Sequence, residues 1–240
     1  MTTTDSGAAR SRATTPVPLL LIPALLCDEG LYTDMLTAMG GKVASRVALA
    51  VQPRIEDSAA SVLGEAPGAF VLVGASYGAS VALSAALSAP ERVQALVLAA
   101  CDAHAAPAGG PDLAAGLRGS PQSVVDMLAG LVVRTDHTAA AAAFRQMAGR
   151  VGGNSGAVQA TAASSRPDFT PRLRELRMPV LLLWGADDPI MPVTLGRQLA
   201  AEIANAKLVV LEGCGHLPTL EQPRESAAAI LDFLQEALQQ

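Results

Sequence analysis

The 240 residues carry a net charge of −5; half are hydrophobic, 16% are charged and 3% are aromatic. This balance excludes a globally disordered chain, and it leaves neither a basic footprint nor an aromatic stacking platform for nucleic acid. Three scattered cysteines, Cys27, Cys101 and Cys214, fit neither a disulfide framework nor a zinc site and suit reduced thiols in a cytoplasmic protein.

Residues 1–15 are polar and unpatterned and are expected to form a disordered tail, ahead of one domain over 16–240. Arg10 and Arg12 before VPLLLIPALLC imitate a secretory leader. Three prolines interrupt that run, and Leu26 is bulky where a cleavage site wants a small residue, so no leader is expected. No apolar run reaches the length of a membrane span, and no membrane partner is expected.

From there the chain alternates. Strands are expected at Pro18–Pro23, Val47–Val51, Ala69–Val73, Ala95–Ala100, Val180–Trp184 and Leu208–Leu211, with helix-like segments between most of them. The runs are nearly continuous in apolar residues, as strands buried on both faces require. This predicts an α/β fold, a mostly parallel, doubly wound sheet of about six or more strands joined by right-handed crossovers. Between Cys101 and Met178 no strand pattern appears. Ser123–Leu131 and Thr138–Met147 read as helices and GRVGGNSG as a break, so a helical cap inserted over about 102–175 is expected. The last helix begins with Pro223 at its first position and aligns Ala227, Ile230, Leu231, Leu234 and Leu238 on one face.

Three strand ends carry chemistry. Gly74-Ala75-Ser76-Tyr77-Gly78 stands between a strand and a helix, where two glycines permit a tight turn that projects the central hydroxyl. A serine needs a general base. His104 and His137 fall in the expected cap region, whereas His216 sits between two glycines just after the last predicted strand, at the same carboxyl edge of the sheet. The base needs an orienting carboxylate. Asp187 and Asp188 follow the penultimate strand, and Asp102 follows another, so all three are candidates. Cys214, near His216, reads as a packing residue.

The order serine, aspartate, histidine, with these flanking residues, resembles the α/β-hydrolase superfamily over roughly residues 17–238. Gly74–Gly78 resembles its nucleophile turn. Gly185-Ala-Asp-Asp188 with Pro192 resembles its acid loop. Gly215-His216 with Glu221 and Pro223 resembles its histidine loop. SSRPDFTPRLREL resembles the cap exit of one subgroup of small bacterial members. The resemblance selects Asp188 over Asp187, because the family acid lies three residues after the glycine. It implies a Ser76–His216–Asp188 triad and an oxyanion hole from the backbone N–H groups of Leu25 and Tyr77. Pro23-Ala24 stands where the family usually has His-Gly. Alanine resists positive φ, so a different turn is expected there.

What the resemblance implies is a serine hydrolase of carboxylesterase type. It would act through an acyl-enzyme, without cofactor or metal, on a small molecule with a mainly apolar acyl group. Thioesterase and carbon–carbon bond hydrolase or lyase are alternatives on the same scaffold, and a non-catalytic binding protein is an alternative of another class.

Overall fold

The computed structural model describes residues 17–41, 43–66 and 68–238; the tail expected over 1–15 lies outside them. In chain order the elements are β1 (Leu19–Ile22), α1 (Thr33–Ala38), β2 (Ser45–Val47), α2 (Ile55–Glu65), β3 (Phe70–Ala75), α3 (Tyr77–Ser88) and β4 (Val93–Ala99). Then come α4 (Leu113–Gly119), α5 (Pro121–Ala129), α6 (Thr138–Ser164), β5 (Val180–Gly185), α7 (Val193–Glu202), β6 (Ala206–Leu211), α8 (Pro218–Glu221) and α9 (Pro223–Ala237).

Among the described residues the strands form one six-stranded sheet, ordered β2-β1-β3-β4-β5-β6, with every pairing parallel. Alternation along each strand divides its side chains between two cores. Leu19, Leu21, Val71, Val73, Val97, Leu181 and Leu183 face the α1 and α9 side. Leu20, Ile22, Leu72, Leu96, Leu98, Leu182 and Trp184 face α2, α3 and α7. Both sets are almost wholly buried, each large side chain contributing roughly 1.5–3 kcal/mol. This two-sided burial is why the strands read as continuous apolar runs.

Strand order reverses between β1 and β3, so the crevice of a doubly wound sheet opens there at the carboxyl edge. The insertion between β4 and β5 supplies α4, α5 and α6, which pack on one another and reach that edge.

Two sequence expectations are corrected and one is met. β2 covers Ser45–Val47 rather than Val47–Val51: it is an edge strand, only Ala48 N–H continues its ladder to Leu21, and Leu49 and Val51 are exposed. The break expected at GRVGGNSG is present: Gly152, with φ of 79° and ψ of 155°, is not helical and divides the α6 span into two helical segments that meet at a kink, the second ending at Ser164. On α9, Phe233 is buried where Leu238 was expected, and Leu238 is exposed just past the helix end.

Candidate active site

β3 turns directly into α3 at Ser76, whose φ of 52° and ψ of −116° are strained for a residue with a side chain. The flanking glycines explain how the turn closes. A Cβ on Gly74 would collide with the carbonyl of Gly78, and one on Gly78 with the carbonyls of Ile22 and Pro23. The start of α3 thus rests against the end of β1, backbone to backbone. Ser76 N–H donates to Ala99 O at 2.8 Å, which ties the turn to β4 as well.

His216 lies in the loop after β6, and its Nε2 is 2.8 Å from Ser76 Oγ. Its Nδ1 is 2.8 Å from Asp188 Oδ2, in a pair whose side chains are 3% and 0% exposed. The other Asp188 oxygen accepts the backbone N–H groups of Ile190 and Met191 at 2.8 and 2.9 Å. An ionised carboxylate only accepts, so Nδ1 carries the imidazole proton and Nε2 presents its lone pair to the serine. The acid and histidine loops meet where Gly185 leaves no room for a Cβ against the carbonyls of Cys214 and Gly215.

The rival acids have other partners. Asp187 pairs with Arg134, and its N–H donates to Cys214 O at 2.9 Å. Asp102 holds His104 Nδ1 at 2.8 Å and Arg166 at 2.7 Å. Neither contacts His216. Burial, with Glu221 and Asp188 close by, pushes the Cys214 thiol up, which favours its protonated, less nucleophilic form.

Glu221 has a role that pattern alone does not reveal. Its side chain is fully buried and accepts Gly215 N–H at 3.1 Å and Leu217 N–H at 3.2 Å, the two peptides on either side of His216. It also accepts Arg134 N–H, and lies 2.9 Å from His137 Nδ1, both from the insertion. Glu221→Leu leaves these donors without an acceptor. The expected result is a loss of about 2–4 kcal/mol in chemical denaturation, together with a fall in turnover that Glu221→Gln, retaining one acceptor oxygen, partly reverses.

Leu25 and Tyr77 both line a cavity of about 230 Å³ with Ser76 and His216. Among the described residues neither backbone N–H has a protein acceptor, and Tyr77, as the first residue of its helix, has none within α3. The turn after β1 is closed by Cys27 N–H to Ala24 O at 3.0 Å. Its left-handed residue is Leu26, with φ of 63°, and not Ala24. The rest of the wall is mainly apolar, with Leu128, Val132 and Phe144 from the insertion, although Arg166 and Ser80 also reach it.

Among the described residues no cluster of three or more His, Cys, Asp or Glu side chains could hold a metal ion. No described helix is long and apolar enough to cross a membrane.

Comparison with known proteins gives three results. A sequence model described as "Alpha/beta hydrolase family" matches residues 36–229. Among curated proteins, a 2-hydroxy-6-oxononadienedioate/2-hydroxy-6-oxononatrienedioate hydrolase of Pseudomonas putida is 40% identical over 80 residues, 32% of this chain and 28% of that protein. Human monoacylglycerol lipase ABHD6 is 36% identical over 70 residues, 29% of this chain and 21% of that protein. The chain thus matches less than a third of the length of either relative. Among solved structures, an esterase from Thermogutta terrifontis superposes with a TM-score of 0.81 at 23% identity, covering 93% of this chain and 91% of its own. The enol-lactonase from Burkholderia xenovorans LB400 does so with 0.84 at 20%, covering 94% of each. At such identities the structural likeness is one of fold.

Proposed function

The chain belongs to the alpha/beta hydrolase family, and from that premise we propose that it is a serine hydrolase that cleaves an ester or related acyl bond through Ser76, His216 and Asp188. One observation carries this reading: the continuous contact from Asp188 through His216 to Ser76, at 2.8 Å each, opening on a mainly apolar cavity.

In the proposed reaction Ser76 Oγ attacks the acyl carbon while its proton passes to His216 Nε2. The carbonyl electron pair moves onto oxygen, which Leu25 and Tyr77 N–H groups receive. The tetrahedral intermediate collapses, and the leaving alcohol or thiol takes the proton from His216. Water, deprotonated by His216, then attacks the acyl-enzyme; the second tetrahedral intermediate collapses, His216 returns that proton to Ser76 Oγ, and the acid is released. Asp188 holds the imidazole in the required tautomer and balances the imidazolium. Every group in this scheme belongs to the chain itself. The cavity lining favours a small molecule with a mainly apolar acyl group, and the three free, buried cysteines suit a cytoplasmic setting.

Treatment with a fluorophosphonate, read by intact-mass spectrometry, tests the assignment. The expected result is a single adduct on the wild-type protein and none on Ser76→Ala. A folded wild-type protein that takes no adduct would favour a binding protein that keeps the fold. A second reading, carbon–carbon bond hydrolysis, is supported by the 40% match to the Pseudomonas putida protein. Turnover of 2-hydroxy-6-oxononadienedioate without turnover of an ester and thioester panel would favour it.

A further inference from the structure

Gln159 stands on the second half of α6 and is 2% exposed, yet its side-chain amide is engaged at both ends. Its Oε1 accepts the N–H of Leu26 at 3.0 Å, and its Nε2 donates to Ala50 O at 3.1 Å. The same Ala50 carbonyl accepts the Tyr77 hydroxyl at 3.3 Å, and Ser58 Oγ lies 3.1 Å from that hydroxyl. One amide from the insertion therefore reaches the loop after β1, the loop after β2 and, through Ala50, the first residue of α3. The first and last of these segments carry Leu25 and Tyr77, cavity-lining residues whose N–H groups have no protein acceptor among the described residues.

Leu26 shows what the contact holds in place. It occupies the third position of the turn closed by Cys27 and Ala24, with φ of 63°, where glycine is the usual residue. A leucine in that conformation is disfavoured, because its Cβ crowds the following carbonyl oxygen. Rotating the Leu25–Leu26 peptide would return Leu26 to negative φ, and would also turn its N–H away from Gln159. The flip would break a buried hydrogen bond and leave Gln159 Oε1 buried without its donor, a loss that opposes the relief of strain and favours the observed turn. The same stretch of α6 also seats the Leu26 side chain, which fills the space left by the missing Cβ of Gly156.

We infer that Gln159 is a positioning residue for the oxyanion site. By fixing the Leu25–Leu26 peptide it holds the Ala24–Cys27 turn, whose adjoining Ala24–Leu25 peptide carries the Leu25 N–H, and through Ala50 it holds the Tyr77 side chain, so that both N–H donors keep their place beside Ser76. Gln159 is absent from the cavity wall and touches no reacting atom. The inference rests on the proposal that Ser76 is the nucleophile, and it makes the insertion part of the catalytic framework as well as a cover for the substrate.

The test compares Gln159→Met, of similar length but with no amide, with Gln159→Glu, which keeps an acceptor for Leu26 N–H. Ester kcat and KM, inhibition by a trifluoromethyl ketone carrying the same acyl chain, and thermal melting are measured for each, with Ser76→Ala beside them. The ketone forms a tetrahedral adduct and so reports the oxyanion site directly. Gln159→Met is expected to lower kcat on the order of 10- to 100-fold, less than outright loss of a donor. Affinity for the ketone should fall by a similar factor while KM stays nearly constant, and Gln159→Glu should recover much of the loss. Unchanged kcat and ketone affinity in Gln159→Met, with Ser76→Ala still inactive, overturns the inference and leaves the nucleophile assignment standing. So does a Gln159→Glu variant that folds but is no better than Gln159→Met. Hydrolysis that survives in Ser76→Ala instead overturns the nucleophile assignment itself.

Discussion

Ser76→Ala, His216→Ala and the double variant are expected to lose nearly the same activity, on the order of 10⁴- to 10⁶-fold in kcat. In the proposed mechanism the hydroxyl and the imidazole act as one unit. Without His216 Nε2, 2.8 Å away, Ser76 has no proton acceptor, and without Ser76 the imidazole has no nucleophile to activate. Removing the second group after the first therefore costs little more. Asp188→Asn is expected to lose roughly 10⁴-fold. The fold would survive, but an amide nitrogen facing Nδ1 favours the tautomer that places the proton on Nε2, where the lone pair is needed. Asp102→Asn should remain within severalfold of wild type, because its partners are Arg166 and His104. Steady-state kinetics on one ester, with circular dichroism to verify folding, checks the series. A strictly multiplicative double variant, or an Asp102→Asn loss exceeding that of Asp188→Asn, contradicts the assignment.

Gly185→Ala should be among the most damaging glycine-to-alanine changes at the described residues. The added Cβ would collide with the carbonyls of Cys214 and Gly215, both backbone atoms that no rotamer change can move. Overpacking a core side chain commonly costs 1–3 kcal/mol, and a clash that displaces a whole loop is expected to exceed about 3 kcal/mol. The displaced loop is the one that carries His216, so whatever folds should also have lost turnover. Gly64→Ala is the control. Gly64 lies within α2 with open space around its Cβ position, and alanine there should stabilise by about 0.5–1 kcal/mol. Urea denaturation of the two variants against wild type measures both effects. A Gly185→Ala protein as stable and as active as wild type would mean that the two loops do not meet as described.

Much of this molecule is legible in one dimension, because the relevant physics is local. A strand buried on both faces must be apolar at every position, so β1, β3, β4 and β5 stand out as runs. A hydroxyl presented at a strand-to-helix turn needs small residues on both sides, so Gly74 and Gly78 mark Ser76 before any coordinates are known. Asp188 and His216 could be placed at strand ends for the same reason. The edge strand β2 was less legible, since only part of its apolar run is held in the sheet.

What the tertiary structure decided depends on partners far apart in the chain. Leu26, rather than Ala24, takes the left-handed conformation, and its N–H is held by Gln159, 133 residues away. Glu221 is a histidine-loop residue by pattern, yet its carboxylate also receives Arg134 N–H from 87 residues away. The break that composition marks is a kink at Gly152, and the second helical segment of α6 beyond it carries Gln159 to the turn after β1. A single buried amide or carboxylate has no periodicity and no local motif. Its meaning comes from which unpaired N–H groups the fold brings to it, and folding alone determines that.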